Sequence, residues 1–326
     1  MELIIKQTKN YHVSLDTISE FEQTILSDPL INSANQVNQL FSKSSFLMWR
    51  LWGKCNSYLG YEINPNYKKP LVHDRHLFSV LMGCDFRQCL PYFAFSADKS
   101  IYMFDAWPTG HESIIRFANF FKVNNIFFSS SKASELIQNK VNGTKCYWIP
   151  EGIKPELYKH YPYENKNIDV LSFGRRYEPF HEQIVSYLQK NRKVYLYQKV
   201  EDEIIFPTRG EFIDGLAKSK ISICFPSSIT HPNRSGSIET MTIRYLQSMI
   251  SKCIVLGHAP KEMITLFGYN PVVEIDWKDP VRQLQSILNN FLDYYPLVEK
   301  NYNTVMREHT WMNRWDKIKK ILSDNN

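Results

Sequence analysis

Glycine is scarce in this chain, and the placing of its glycines excludes two large classes of nucleotide-binding protein. Twelve glycines occur in 326 residues, and the closest two are Gly210 and Gly215. The dinucleotide-binding fingerprint needs more closely spaced glycines, and no glycine pair here is followed by the Lys-Ser or Lys-Thr step of a P-loop. We therefore expect neither an NAD-dependent enzyme nor an NTPase of these kinds.

Motifs for a metal ion or a nucleophilic serine are also missing. No Asp-x-Asp pair occurs, and the nearest approach to one, Glu274 and Asp276, is expected to end a strand. The histidines and cysteines between positions 73 and 89 match no common zinc spacing, and Gly-x-Ser-x-Gly is absent. The sequence therefore predicts no metal and no cofactor.

Long apolar runs and blocks of positive charge are lacking as well. No stretch of ~18 uninterrupted apolar residues occurs, and the start has no signal-peptide pattern. Six scattered cysteines fit a reducing cytosol. The formal charge of +6 comes without a Lys/Arg block or an RNA-recognition signature, so we expect no nucleic-acid partner. These features predict a globular cytoplasmic protein.

Strand and helix patterns alternate through most of the chain. Apolar strand patterns cover residues 76–83, 100–108, 125–130 and 145–150, with helical patterns over 111–123 and 131–141 between them. A segment with two prolines and several charges follows, and the alternation restarts at Ile168. Alternation of this kind is typical of parallel sheets covered by helices. We predict a first α/β domain over 1–155, a linker over 156–167 and a second α/β domain over 168–326, the last helix being a candidate to cross back.

The stretch from Asn233 to Pro260 carries the strongest functional signal. An eleven-residue loop, long for a strand-to-helix connection, leads into a helical pattern over 238–251. Ser235, Gly236 and Ser237 would then stand at the positive end of the helix dipole, where a phosphate can bind. Thr240, Arg244, Gln247 and Ser251 share a polar stripe, which faces either a ligand or water.

The segment "GSIETMTIRYLQSMISKCIVLGHAPKEM" resembles the donor-binding core of retaining GT-B glycosyltransferases. That family has two glutamates separated by seven residues, and here Glu239 matches the first while Gln247 stands at the second. The family also has a glycine and a basic residue after the first strand of its second domain, which Gly174, Arg175 and Arg176 supply. A lysine commonly found a few residues later has no counterpart.

The resemblance implies an α/β chain of the GT-B class, with two Rossmann-like domains whose parallel sheets face a central cleft. The first domain would be the acceptor side and the second would bind the nucleotide sugar. It implies a metal-independent, retaining glycosyltransferase that uses a nucleotide-sugar donor, a glycan or glycolipid acceptor and contact with the inner face of a membrane. Glu239 would be catalytic, and Asp105 and Trp107, which end a predicted strand, would line the acceptor side. The expected donor-binding residues are Gly174, Arg175, Arg176, Ser235, Gly236, Ser237, Thr242, Arg244 and Gln247.

Three alternatives remain open. The chain could be an inverting GT-B transferase or a nucleotide-sugar epimerase, which the configuration of the product would distinguish. It could also be a protein that binds a nucleotide sugar or a glycan without turnover, since Gln247 replaces a carboxylate. Asp105 could simply cap the next helix and Trp107 could simply pack.

Overall fold

The computed structural model describes residues 1–4, 15–33, 43–58, 76–90, 92–95, 98–174, 176–199 and 204–324. The chain divides into two compact units. The first comprises Met1–Pro150, Arg234–Ile238 and Ile318–Asn326, and the second comprises Glu151–Asn233 and Glu239–Lys317. Within the described ranges, every helix is too short or too polar to cross a bilayer.

The first unit is built on a six-stranded, wholly parallel sheet of order β2-β1-β3-β4-β5-β6. Its strands are β1 (Glu2–Ile4), β2 (Asn32–Ser33), β3 (Leu77–Met82), β4 (Lys99–Phe104), β5 (Asn125–Phe128) and β6 (Lys145–Trp148). Its helices are α1 (Asp16–Leu26), α2 (Lys43–Tyr58), α3 (Tyr92–Phe95), α4 (His111–Phe121) and α5 (Ser131–Gln138). Both faces of β4 are buried, as expected of a central parallel strand.

The second unit has a five-stranded parallel sheet of order β11-β10-β9-β7-β8. Its strands are β7 (Ile168–Ser172), β8 (Tyr195–Tyr197), β9 (Ser219–Cys224), β10 (Ile254–Gly257) and β11 (Val273–Glu274). The helices from residue 178 onward are α6 (Glu178–Lys190), α7 (Arg209–Ala217), α8 (Ser227–Thr230), α9 (Pro232–Ser235), α10 (Ile243–Ile250), α11 (Lys261–Phe267), α12 (Pro280–Asn289), α13 (Tyr295–Glu308) and α14 (Trp311–Asp324). The division between units falls within α9 and α14.

The predicted linker, residues 156–167, belongs to the second unit and is bonded to its helices and sheet. The buried Lys166 ammonium donates to the carbonyls of Ala217, Ser219 and Ser251. Burial lowers the pKa of Lys166 from its usual value. Nearer the middle of the segment, the Tyr161 hydroxyl donates to Asp214. These bonds fix Tyr161 and Lys166 against α7, the start of β9 and the end of α10.

Candidate functional site

The strand order of the second unit marks the place where a ligand is expected. β7 lies between β8 and β9, so the chain builds the sheet outward in both directions from the β7/β9 pair. In open parallel sheets, ligands bind outside the carboxyl ends of the strands at this switch point. The carboxyl ends of β7 and β9 lead to Phe173 and Phe225, whose carbonyls both accept hydrogen bonds from one side chain, that of Arg244.

The Arg244 guanidinium spans these two strand ends. Its Nη1 donates to the Phe173 carbonyl at 3.3 Å and its Nη2 to the Phe225 carbonyl at 3.0 Å. Gly174 makes room for it, because a Cβ at that position would lie 3.2 Å from the Arg244 Cδ and 3.3 Å from Nη1. The backbone at Gly174 is left-handed, with φ of 74°, a conformation that favours glycine. Gly174 and Arg244, both predicted donor-binding residues, are therefore packed against each other.

Arg244 is half-buried and has two backbone carbonyls as its partners. Among the residues that the structure describes, no carboxylate lies within ion-pair distance of it. A guanidinium without a carboxylate partner keeps donors for an anionic ligand, and it suits phosphate oxygens because of its forked geometry. This position is therefore chemically suited to a diphosphate.

The other predicted arginines differ from Arg244 in their surroundings. Arg175 lies outside the described residues. The Arg176 guanidinium donates to Glu178 at 2.6 Å and to the Gln198 carbonyl at 2.6 Å, and it lies over the ring of Tyr197. Arg176 is thus held by its own unit and would have to leave Glu178 to bind a phosphate with its full charge.

The helix predicted over 238–251 starts later than expected, so the prediction that Ser235, Gly236 and Ser237 stand at its N-terminus is wrong. The helix α10 begins at Ile243, with Thr242 in extended conformation before it. Ser235 ends the short helix α9, Gly236 follows with φ of 55°, and both belong to the first unit. The helix-dipole argument for phosphate binding at these three residues therefore fails.

Two buried carboxylates explain why the helix starts late. Glu151 accepts a hydrogen bond from the backbone N–H of Ile243 at 2.8 Å, and Glu262 accepts one from Met241 at 2.9 Å. These bonds hold residues 241–243 from outside the helix and satisfy backbone donors that would otherwise need helical or solvent partners. Glu239 consequently lies in the loop before α10, not inside the helix as the sequence pattern indicated.

The predicted polar stripe is largely buried. Gln247, at the second family position, is 3% exposed, and its Nε2 donates to the hydroxyl of Tyr158 at 2.9 Å. Thr240 and Ser251 are also buried, so the stripe does not simply face water. Tyr158 belongs to the predicted linker, and nothing in the local sequence pattern indicated that it contacts Gln247.

The structure also gives Glu239 a partner that sequence reasoning missed. The Glu239 Oε1 lies 3.6 Å from the Nε2 of His258, the first residue after β10. On the other side of the ring, Nδ1 donates to Glu274 at 3.0 Å. The signal available in the sequence was the position of His258 directly after an apolar strand, at the same sheet edge as Gly174.

Several hydroxyls near this edge are buried without a hydrogen-bond partner among the described residues. Ser227 and Ser228 follow β9, and Thr240 and Thr242 precede α10. A buried hydroxyl without a partner costs about 1–3 kcal/mol, so native structures rarely keep several close in sequence without a reason. Thr242, which we predicted to bind the donor, is one of these four.

The predicted acceptor-side residues lie in the first unit. Asp105 follows β4 with φ of 50°, and its Oδ2 lies 3.2 Å from the Nη2 of Arg234. The Arg234 guanidinium also lies 5.9 Å from the ring centre of Trp107, which is buried and whose Nε1 has no partner among the described residues. Asp105 does not cap α4, since Gly110 holds the cap position. Arg234 was not predicted, and a strained non-glycine residue beside it is common at functional sites.

Among the described residues, no group of three or more His, Cys, Asp or Glu side chains is arranged to hold a metal ion. His73, one of the histidines considered for zinc, lies outside the described residues.

Comparison with known proteins gives structural matches only. No protein-family model and no curated protein matches the sequence. Anabaena HepE, whose structure holds UDP and glucose, is 10% identical with a TM-score of 0.62, and the match covers 99% of each chain. Sucrose-phosphate synthase from Thermosynechococcus elongatus is 9% identical with a TM-score of 0.53, covering 87% of this chain and 80% of that one. TarM is 14% identical with a TM-score of 0.52, covering 75% of this chain, which spans about half (54%) of TarM's length.

These matches and the two parallel sheets confirm the predicted fold class, a GT-B chain of two Rossmann-like α/β units.

Proposed function

We propose that this chain is a glycosyltransferase that moves a sugar from a nucleotide-diphosphate donor to a hydroxyl of a glycan or glycolipid. The observation that carries the proposal is the pair formed by Arg244 at the β7/β9 switch point and Glu239 at the same sheet edge. The fold that carries these two residues matches HepE over 99% of both chains, and HepE was crystallised with UDP-glucose. UDP-glucose is accordingly the first donor to test.

The proposed chemistry needs two charges to be stabilised. The bond between the sugar C1 and the diphosphate oxygen breaks, which leaves positive charge on the sugar ring and negative charge on the departing diphosphate. The acceptor hydroxyl forms the new bond to C1, and its proton passes to the departing diphosphate. Arg244, with Arg175 and Arg176, would stabilise the diphosphate, and Glu239 would accept hydrogen bonds from donor-sugar hydroxyls and oppose the ring charge.

The remaining predicted residues complete the donor and acceptor sides of the proposal. Gln247 would hydrogen-bond the ribose, for which its contact with Tyr158 must adjust. Thr242 offers a buried hydroxyl without a described partner. Asp105 and Trp107 would contact the acceptor, and their neighbour Arg234 joins them in this role.

Three finer features belong to the same proposal. The reaction would need no divalent metal, since arginines can neutralise the leaving group. It would retain the anomeric configuration, as the match at Glu239 implies. The enzyme would work in the cytoplasm at the inner face of a membrane, in the synthesis of a surface polysaccharide.

A thermal-shift panel tests the donor-binding half of the proposal. Wild-type protein is melted with UDP-glucose, UDP-N-acetylglucosamine, GDP-mannose and ADP-glucose, each titrated to millimolar concentration. A ligand present at 100 times its dissociation constant raises the free energy of unfolding by about 2.7 kcal/mol, which is a readily measured shift. We expect one nucleotide sugar to stabilise the protein in a saturable way. A panel without any stabilising member would contradict the proposal.

A further inference from the structure

The strongest candidate beyond the predicted site is His258, which lies between two carboxylates. Its Nε2 is 3.6 Å from Glu239, the proposed catalytic residue, and its Nδ1 donates to Glu274 at 3.0 Å. The ring contacts one carboxylate through each nitrogen, so the side chains of Glu239, His258 and Glu274 form a row. Glu239, the residue proposed to contact the donor sugar, stands at the open end of this row.

The far end of this row is Glu274, whose side chain is 42% exposed and whose carboxylate accepts several hydrogen bonds. The second carboxylate oxygen of Glu274 accepts a hydrogen bond from the backbone N–H of Ala259 at 2.9 Å and another from the Asn270 amide at 3.2 Å. With the bond from His258, three donors hold this carboxylate. Because its oxygens are engaged, Glu274 acts as an anchor that sets the orientation of the ring by accepting the Nδ1 hydrogen. As an imidazolium, with a hydrogen on each nitrogen, the ring donates to Glu274 through Nδ1 and presents Nε2–H to Glu239.

The backbone of His258 is also held by hydrogen bonds. Its N–H donates to the carbonyl of Cys224, at the end of β9, and its carbonyl accepts the hydroxyl of the buried Tyr245 at 2.7 Å. The preceding residue, Gly257, passes so close to β9 that a Cβ there would collide with the Cys224 carbonyl oxygen. The backbone that carries the imidazole is therefore held by β9 and α10, and the ring's Nε2 faces Glu239.

The contact at the Glu239 end of the row is weaker. The 3.6 Å separation from Nε2 is longer than a normal hydrogen bond, and the Glu239 side chain is 29% exposed. A carboxylate in this setting is oriented by a neighbour yet keeps lone pairs for a ligand. Preorganised groups of this kind stabilise developing charge without reorganising during the reaction.

We propose that His258 is a positioning residue for the transfer reaction, holding Glu239 in the orientation that meets the donor sugar, with Glu274 as its anchor. This inference rests on the proposed function of Glu239. The diphosphate is assigned to Arg244, and His258 has no role in binding it. Loss of His258 should therefore affect the sugar step and leave the binding of free UDP unchanged.

The test compares two near-isosteric variants. In His258→Gln the side-chain amide nitrogen stands close to the position of Nε2 and can still donate to Glu239. In His258→Asn it stands close to Nδ1 and can still donate to Glu274. With UDP-glucose as the probe and the other three panel sugars in parallel, we expect kcat to fall about tenfold in His258→Asn, which corresponds to about 1.4 kcal/mol of lost transition-state stabilisation. We expect His258→Gln to retain several times more activity.

A purely structural role would give the opposite order, because the fixed bond to Glu274 survives in His258→Asn. The Kd for UDP should be unchanged in both variants. In the background of Glu239→Gln, His258→Asn should have little further effect on kcat, since both changes act on the same interaction. His160→Asn is the matched control, because His160 is an exposed histidine of the same unit that contacts Tyr302.

The outcomes separate this inference from the proposed function. Wild-type turnover with unchanged kcat in His258→Asn, or equal losses in the single and Glu239→Gln backgrounds, would overturn the role of His258 and leave the transferase intact. Wild-type protein that turns over no sugar of the panel would overturn the proposed function and this inference with it.

Discussion

Replacing Arg244 should weaken the binding of a nucleoside diphosphate far more than it weakens the fold. Arg244→Met keeps most of the side-chain stem and removes the charge. The guanidinium is half-buried at the switch point with two carbonyl partners and no described carboxylate, so a bound diphosphate would meet a full positive charge. One hydrogen bond to a charged group is worth about 1.5–3 kcal/mol. The Kd should therefore rise by roughly tenfold to a hundredfold.

The measurement is isothermal titration calorimetry. The wild type is titrated with UDP, GDP and ADP, and the nucleotide that it binds most tightly is then used for the variants. Arg244→Lys should recover part of the affinity, because it keeps a point charge and loses the fork. Arg282→Met is the matched control, since Arg282 is exposed on α12. Urea unfolding of each variant separates binding from stability. Arg244→Met protein that is folded and binds as tightly as the wild type would refute the assignment of the diphosphate to Arg244.

Three further outcomes are expected. Turnover should survive EDTA without added metal, and activity that EDTA abolishes and Mn²⁺ or Mg²⁺ restores would contradict metal independence. Gln247→Glu should fold and bind nucleotide as tightly as the wild type or more tightly, because the Tyr158 hydroxyl can donate to a carboxylate; a folded variant that cannot bind would place Gln247 away from the ribose. Burial, and then the neighbouring Arg314, lower the pKa of His309 to about 3. Between about pH 6 and pH 4 the His309 position of the unfolded chain takes up a proton that the folded one does not, so this residue should lower the free energy of unfolding by up to about 1.4 kcal/mol per pH unit as the pH falls. His309→Asn should lack this contribution in urea unfolding measured across that range, and an identical pH dependence in both proteins would contradict it.

The periodic parts of the fold were accessible from the sequence. Strands such as β4 and β5 are short apolar runs between turn residues, and α4 and α5 have helical spacing, so their existence and order were predicted. What a periodic pattern encodes is burial of one apolar face.

The start of α10 could not be predicted in this way. The carboxylates that hold its first residues come from Glu151 and Glu262, which are 92 and 21 residues distant from their partners. The Gln247 contact with Tyr158 spans 89 residues and the Arg234 contact with Asp105 spans 129. Each is a long-range side-chain contact without a local signature, so the sequence indicated the sheet edge of the site and not its individual partners.

The central claim is that Glu239 acts in sugar transfer, and the most direct test is the turnover of Glu239→Gln. The variant keeps the size and hydrogen-bonding shape of the side chain and removes its charge. Because Glu239 lies in a loop and contacts His258 at 3.6 Å, the melting temperature should stay close to that of the wild type. The initial rate of nucleotide release from the donor that stabilises the wild type should fall by about a hundredfold, the scale of one lost preorganised contact. A rate equal to that of the wild type would contradict the account and favour a protein that binds the nucleotide sugar without Glu239-dependent catalysis.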